Sequence, residues 1–178
     1  EITELRSSEG PLKISGVVDR NPIYDGLFKG ADEIGIPTNK DYNGDEQEGI
    51  SYTQTTIFKG ERMSAEVAYL KPIRSRKNLK IITNSLVTEL LFDGKTCVGV
   101  KVKTKNKIQD YFSQNEVILC GGAINSPQIL ELSGIGNRSI LEEKGISLIH
   151  ELKGVGENLR DHLGPRLVYK IIKRGISY

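Results

Sequence analysis

The residues best suited to chemistry form a strand, a glycine turn and a helix start within positions 116–136. An apolar run precedes Gly121 and Gly122, and Ser126-Pro127 then opens an apolar helix. Glycines after a strand let the backbone approach a ligand closely, and the free N–H groups of the following helix favour an anion such as a pyrophosphate. An ordinary strand-to-helix connection uses the same residues, and no GxGxxG spacing is present to decide between them. The residues alone support both interpretations equally.

Metal-ligating patterns are weaker. Asp41, Asn43 and Asp45 have the spacing of the first three ligands of a calcium-binding loop. The sixth position, which should be glycine, is Glu46, and the twelfth, which should be a bidentate Glu, is Tyr52. A polar turn is therefore favoured over a calcium site. Neither HExxH nor paired CxxC occurs, so no zinc site is predicted.

Nucleophilic catalysis has one candidate pair, Asp161 and His162. The sequence contains no GxSxG motif, and adjacent residues rarely orient each other as triad partners do. A structural role for His162 is favoured. His150 alternates with Leu148 and Leu152, which indicates a surface or edge position in a short strand. A small hydrolase built around the Asp-His pair is the least favoured function.

Composition excludes several classes of protein. The net charge is +2, aromatic residues make up 6 % and Trp is absent, which argues against nucleic-acid binding. No run approaches the roughly 20 apolar residues of a membrane span. Cys97 and Cys120 lie in apolar runs and are expected to be buried free thiols, with a disulfide between them as the alternative. The expected location is cytoplasmic or peripherally membrane-associated.

Helix signals and strand signals alternate along the chain, which predicts a mixed α and β fold. The predicted helices are 22–34, capped by Asn21 and ended by Gly35; a short one after Ser64; 126–132; and 138–144. The predicted strands are 52–58, 79–83, 86–92, 98–104, 108–112, 117–120, 147–150 and 165–172, with the central ones forming an antiparallel meander. Exposed loops are expected at 37–49 and 154–161.

One stretch is specific enough to suggest a family. Residues 122–136, GAINSPQILELSGIG, resemble the second signature of the glucose-methanol-choline (GMC) flavin oxidoreductases at every specified position. Further stretches agree with that family in order and spacing: GPL at 10–12, GERMS at 60–64 with AYL at 68–70, the strand around Val87, and GVGENLRDH at 154–162. The similarity covers nearly the whole chain and is greatest to choline-dehydrogenase-like members.

The resemblance implies an internal fragment of an FAD enzyme that oxidises the CH–OH group of a primary alcohol to an aldehyde. It implies a GMC-type α/β fold, in which 1–78 is a substrate-domain portion, 79–160 a portion of the Rossmann-like FAD domain, and 161–178 the start of the next substrate-domain strand. The family's GxGxxG would precede Glu1, and its catalytic His pair would follow Tyr178. The segment alone is therefore expected to be inactive and not to hold FAD tightly, and no catalytic residue is assigned within it.

The family's cofactor contacts map onto five positions. Val87 matches the strand residue whose backbone pairs with the adenine edge. Gly122 and Ala123 match the turn nearest the dinucleotide, where a larger side chain would block close approach. Asn158 and Leu159 match the loop that re-enters near the flavin, or else hold the domain junction.

Two further comparisons with the family bear on function. Arg62 and Ser64 match a segment near the cofactor in some members, although Ser64 is equally suited to capping a helix. Choline-oxidising members carry a Glu two positions after the Asp-His pair, where this chain has Gly164. An uncharged alcohol is therefore expected as substrate, with an electron acceptor that the sequence does not identify. The alternative is a non-catalytic binding or assembly module that retains the GMC scaffold.

Overall fold

The computed structural model of the protein describes residues 7–17, 21–170 and 172. These residues divide into two compact units, one running up to Lys80 and resuming at Leu167, the other being Ile81–Arg166. The expected substrate-domain and FAD-domain portions are functional assignments and stay predictions. Their parts at 1–6, 18–20, 171 and 173–178 lie outside the described residues. No helix in the described part of the chain is long and apolar enough to cross a membrane.

The first unit contains helix α1, Pro22–Glu33. The Asn21 side chain accepts the N–H two residues later, and Gly35 at φ 81° ends the helix, as predicted. The ring of Phe28 stacks on that of Tyr52 with 4.8 Å between centroids, which fixes the helix against the segment that follows the loop.

Most residues of the loop at 37–49 are exposed, as predicted, and the loop is internally hydrogen-bonded. The Asn39 side-chain amide donates to the carbonyl oxygen of Glu46 at 2.7 Å, and the Asp41 carboxylate accepts the N–H of Asn43 at 3.3 Å. The candidate calcium ligands thus form a polar turn. Within the described residues no three His, Cys, Asp or Glu lie close enough together to hold a metal.

The predicted strand 52–58 is mostly wrong. Only its end forms a strand, β1 (Ile57–Phe58), which pairs antiparallel with β2 (Glu61–Arg62), while Thr55 makes an isolated bridge to Ser15. β-prone residues form a strand only where a partner is available along their length.

A turn of π-helix at Glu66–Leu70 and a 3₁₀ turn at Lys71–Ile73 replace the short helix predicted after Ser64. The Ser64 hydroxyl accepts the N–H of Val67 at 3.2 Å, which confirms its capping role. Ala68 is 3 % exposed and anchors this turn in the first unit.

The second unit begins with the predicted meander. Strands β3 (Leu86–Asp93), β4 (Thr96–Lys103) and β5 (Ile108–Phe112) pair antiparallel in that order, with a turn at Gly94. A bulge at Thr88 shifts the register of β3 against β4. Leu90 and Val102 are buried on the face that carries the core.

Three other predicted strands are wrong. Residues 79–83 and 117–120 are not paired, and the described residues of 165–172 form no strand; position 171 lies outside the description. Several of their apolar side chains are exposed instead, with Ile118 at 73 % and Val168 at 92 %. β-propensity marks residues that fit a half-buried pleated surface, and no described strand offers these segments such a surface.

The remaining elements lie after the meander. Helix α2 is Gly122–Leu132, strand β6 is Ile135–Gly136, helix α3 is Arg138–Glu143, and strand β7 is His150–Glu151. Helix α3 is confirmed near its predicted bounds, whereas α2 begins four residues before the predicted start and has Pro127 inside it. Strand β7 pairs parallel with β6 and occupies only the end of the predicted 147–150 strand and one residue beyond. Buried Ile135, Leu141 and Val155 form the core here.

Candidate cofactor-binding site

The start of α2 is an open glycine turn. Gly121 occupies the N-cap position without a side-chain hydrogen bond, and Gly122 adopts φ 80°. Apart from its own neighbours and the backbone of α2, a Cβ at Gly122 would meet no atom within 4 Å. The exposed N–H groups of this helix start therefore face space that an anionic ligand can enter, and only glycine adopts the conformation without strain.

Pro127 changes the first turns of α2. Proline has no N–H, so it cannot donate to the carbonyl oxygen of Ala123, its partner four residues earlier. The first turn of α2, which begins at Gly122, thus presents N–H groups without helical partners. The carbonyl oxygen of Ala123 lacks its regular helical donor as well. The sequence prediction placed Pro127 at the first helical position and missed this arrangement.

A cavity of about 600 Å³ gathers three of the predicted cofactor residues, Ala123, Asn158 and Leu159. The α2 side also contributes Ser126 and Glu131 to its lining. Asn158 adopts φ 57°, a left-handed conformation that Asn tolerates better than most residues. The two segments are 35 residues apart in sequence, and the fold brings them to one cavity.

The side chain of Glu131 lies between α2 and the loop at 154–158. Its Cγ lies 3.2 Å from where a Cβ of Gly136 would be, and its Oε1 lies 3.1 Å from the equivalent point at Gly156. Gly156 has φ 79°. The Glu131 side chain therefore occupies the room left by two absent Cβ atoms, which sets the distance between the helix and the loop that carries Asn158.

Val87 lies on β3, the edge strand of the meander. Leu90 pairs with Val100 and Val87 with Val102, on opposite sides of the bulge. Val100 and Val102 are two residues apart, so their backbone groups point the same way. The Leu90 N–H points away from β4, because it donates to the Ser133 hydroxyl at 2.8 Å. By the same register the N–H and C=O of Val87 also face outward from the sheet.

A second cavity of about 620 Å³ lies along that edge. It is lined by Leu86 and Val87 from β3, by Cys120 and Gly121 from the segment before α2, and by Ile129 from the helix, together with mainly apolar neighbours. Both cavities fall in the range of small-molecule sites, roughly 300–1,000 Å³. Residues of α2 line both cavities, and the glycine turn begins that helix.

Other residues singled out from the sequence lie elsewhere. Gly164 is exposed and lines neither cavity. Arg62 lies exposed in β2 of the first unit, and Ser64 caps the turn described above. These positions therefore add nothing to the two cavities described.

The Asp161-His162 pair does not form a catalytic contact. The Asp161 carboxylate accepts the backbone N–H of His162 at 2.8 Å, and both residues are exposed. His150 lies exposed in β7. Asp161 thus contacts the backbone of His162 and not its imidazole ring, in agreement with the expectation that neighbouring residues do not orient each other as triad partners.

The cysteines were predicted correctly as free thiols but wrongly as buried. Cys97 is half-buried, and its thiol donates to the carbonyl oxygen of Gly99 at 3.7 Å. Cys120 is exposed and lines the second cavity, because the segment around it is not paired as a strand.

Sequence reasoning also missed Ser133. It is 5 % exposed, and its hydroxyl donates to the carbonyl oxygen of Ile129 at 2.6 Å while accepting the Leu90 N–H. Its partner lies 43 residues away in the sequence. A serine at the end of an apolar helix reads as a plain cap, and no local signal indicates a contact at that separation.

These features define a protein of mixed helix and sheet content with an anion-favouring turn beside cavities of ligand size. The family profile described as GMC oxidoreductase matches residues 3–164. The chain therefore belongs to the GMC oxidoreductase family, and is a fragment of that family's mixed α/β domain. FAD is the cofactor to which the family and its solved structures point.

The relatives are considerably longer than this chain. It is 43 % identical over 161 residues to a mitochondrial choline dehydrogenase of Homo sapiens, covering 90 % of this chain and 27 % of that protein. It is 41 % identical over 167 residues to an oxygen-dependent choline dehydrogenase of Staphylococcus aureus (strain JH9), covering 94 % and 29 %. An FAD-dependent oxidoreductase from Chaetomium thermophilum superposes with a TM-score of 0.84 at 32 % identity, covering 88 % of this chain and 28 % of that one. The chain thus spans less than a third of each.

The open turn and the outward strand edge fit FAD. A pyrophosphate needs unengaged N–H groups and close backbone approach, which the exposed helix start at Gly122 offers. An adenine edge needs a donor and an acceptor side by side, which the outward backbone of Val87 presents.

Proposed function

We propose that this chain is the internal part of an FAD-dependent enzyme that oxidises the CH–OH group of a primary alcohol to an aldehyde, acting as a dehydrogenase. The observation that carries the proposal is the uncapped, exposed glycine turn at the start of α2, a helix that lines both cavities. Family membership supports it, because the matched cofactor positions fall on those cavities and on that turn.

Each residue has a separate binding role in this proposal. The turn at Gly122 and Ala123 would hold the pyrophosphate through backbone N–H groups, and Val87 would present its backbone to the adenine. Asn158 and Leu159 would hold the part of the cofactor nearest the flavin, in the cavity that they share with Ala123.

When bound, FAD supplies the acceptor for the two electrons and the hydrogen that leave the alcohol carbon as the carbonyl forms. The residues of this chain bind and orient, and they exclude water from the cavity walls that Leu86 and Ile129 make apolar. The resemblance assigns the proton-accepting histidines to none of these 178 residues.

The substrate we propose is an uncharged alcohol. A desolvated trimethylammonium group needs a charge partner or an aromatic cage. Gly164 offers neither where choline-oxidising members carry a carboxylate, and Arg166 adds a positive charge two residues later. Relatives named choline dehydrogenases are similar over most of this chain. Our proposal of an uncharged substrate therefore rests on the difference at position 164.

The test is flavin analysis and steady-state kinetics on the enzyme that contains this chain. We expect FAD to be released on denaturation, and kcat/KM for 3,3-dimethylbutan-1-ol, the uncharged isostere of choline, to exceed that for choline about ten-fold, which is about 1.4 kcal/mol. The matched variant Gly164→Glu should reduce or reverse that preference.

The outcomes separate the parts of the proposal. A clear preference for choline in the unmodified enzyme would show that another residue supplies the anion, and would leave the flavin chemistry standing. A folded protein that holds no FAD and oxidises no alcohol would contradict the enzyme assignment and favour a binding or assembly module.

A further inference from the structure

Ser133 ties the end of α2 to the edge of the meander. The two hydrogen bonds of its hydroxyl, 2.8 Å from the Leu90 nitrogen and 2.6 Å from the Ile129 oxygen, satisfy its donor and one acceptor site. The hydrogen bond to Leu90 joins residues 43 positions apart in the sequence, and Ser133 is the C-cap residue of α2. A side-chain hydrogen bond thus replaces the ladder partner that an edge strand lacks.

The Leu90 N–H depends on that hydroxyl. Leu90 and Ser133 are both 5 % exposed, so bulk water does not reach the bond. A buried N–H left without an acceptor is costly, and the strand would move to find one. Any such movement displaces Val87, which lies three residues away on the same edge with its backbone facing the same way.

The opposite end of the helix carries the glycine turn. An α-helix is stiff and rises about 1.5 Å per residue, which places the turn about 15 Å from Ser133 along the helix axis. The second cavity lies between the helix and the strand, with Ile129 and Leu132 on one wall and Leu86 and Val87 on the other. The Ser133 hydrogen bond joins the residue after Leu132 to β3, and so ties together the two elements that form these walls.

We propose that Ser133 is a positioning residue for the adenosine half of FAD: it fixes the outward edge of β3 at Val87 relative to the pyrophosphate-binding turn of the same helix. The inference rests on the proposed function, because it takes the edge of Val87 as the adenine contact. The flavin half lies in the other cavity, whose walls do not include β3.

The experiment compares Ser133→Ala with the unmodified full-length enzyme after removal of FAD. FAD is titrated into the apoprotein by quenching of flavin fluorescence, and the visible absorption spectrum of bound flavin is recorded at saturation. We expect the Kd for FAD to rise about ten-fold, because binding must then return the displaced edge of β3 to its place, at a cost comparable to that of one buried hydrogen bond. The flavin spectrum should not change, because the flavin half keeps its contacts.

Two variants serve as controls. Ser139→Ala removes an exposed serine hydroxyl at the start of α3 and should leave the Kd unchanged. Ser133→Thr keeps the hydroxyl and should bind FAD within about three-fold of the unmodified enzyme. If Ser133→Ala does not fold, Ser133→Cys, whose thiol is a weaker acceptor, is titrated in its place and should raise the Kd.

A lower melting temperature with an unchanged Kd would overturn the inference, since Ser133 would then be only structural. A raised Kd with a shifted flavin spectrum would also overturn it, because the effect would not be confined to the adenosine half. An unmodified apoprotein that does not bind FAD would refute the proposed function, and this inference with it.

Discussion

The two ends of α2 carry glycines with nearly equal positive φ angles but different surroundings. Gly122 at the start has φ 80°, and Gly134 just after the end has φ 82°. A Cβ at Gly122 would meet open space, whereas one at Gly134 would lie 2.4 Å from the carbonyl oxygen of Ser147. The chain therefore packs closely against Gly134 and leaves open space beside Gly122.

Burial follows the same division. Residues 121–125 are all exposed, while the four residues from Ser133 to Gly136 are all buried. At the closed end Gly134 accepts the N–H of Ile149 at 2.8 Å, and strand β6 pairs with β7. Packing against Ser147 and a positive φ both require glycine at position 134, whereas at position 122 the positive φ alone requires it within the chain. The space left free at Gly122 is what our proposal assigns to the cofactor.

The largest expected effect comes from adding a methyl group at the closed end. Gly134→Ala should lower the free energy of unfolding by about 3 kcal/mol, because left-handed strain and overpacking against Ser147 act together. Gly122→Ala is the matched control with the same φ and no contact, and should cost about 1 kcal/mol. Denaturant unfolding gives the free energy of unfolding of both variants. Equal losses of stability would mean that the two ends of α2 do not differ in packing.

A smaller effect tests the contact of Glu131 at the closed end. Gly136→Ala places a Cβ 3.2 Å from the Glu131 Cγ and should cost about 1 kcal/mol. In a Glu131→Ala background the same change should cost clearly less, because the obstructing side chain is gone. A double-mutant cycle gives the coupling, and a coupling of zero would show that Glu131 does not determine the glycine at 136.

The smallest expected effect concerns Lys101, which lies on the face of the meander opposite buried Leu90 and Val102. The side-chain hydrogen bond to Glu89 raises the pKa of Lys101 above its ordinary 10.5; desolvation opposes this rise, and the charges of Glu89 and Asp110 add to it. A raised folded-state pKa stabilises the fold below the unfolded-state pKa, and this stability is lost as pH rises through the folded-state value.

Unfolding midpoints measured from about pH 9 to about pH 11.5 should therefore fall slightly more for the unmodified protein than for Lys101→Met. Both side chains of the ion pair are partly exposed, at 35 % for Lys101 and 42 % for Glu89, so solvent screening keeps the expected difference small. A steeper fall in the variant would contradict the assigned sign.

The sequence predicted those parts of the fold that local signals determine. Runs of β-prone residues between turns predict the meander strands. The Asn21 cap predicts the start of α1, and Gly145 predicts the end of α3. The strands predicted at 79–83 and 117–120 failed because a strand also needs a partner, which no local pattern supplies.

The candidate site divides in the same way. The resemblance indicated Gly122 and Val87, and the structure adds the open space at one and the outward register at the other. Ser133 and Glu131 could not be predicted, because their partners are set by packing of distant segments. The roles of all five cofactor positions remain predictions.

We propose that FAD completes the open end of α2, and the flavin content of Gly122→Val in the full-length enzyme shows whether the cofactor needs the space beside Gly122. The branched side chain would fill the space required by the cofactor and would resist φ 80°. We predict a folded protein with much reduced FAD per polypeptide, measured by absorbance after desalting and denaturation. A folded variant with the flavin content of the unmodified enzyme would show that the turn is only structural and that FAD does not occupy the space beside Gly122.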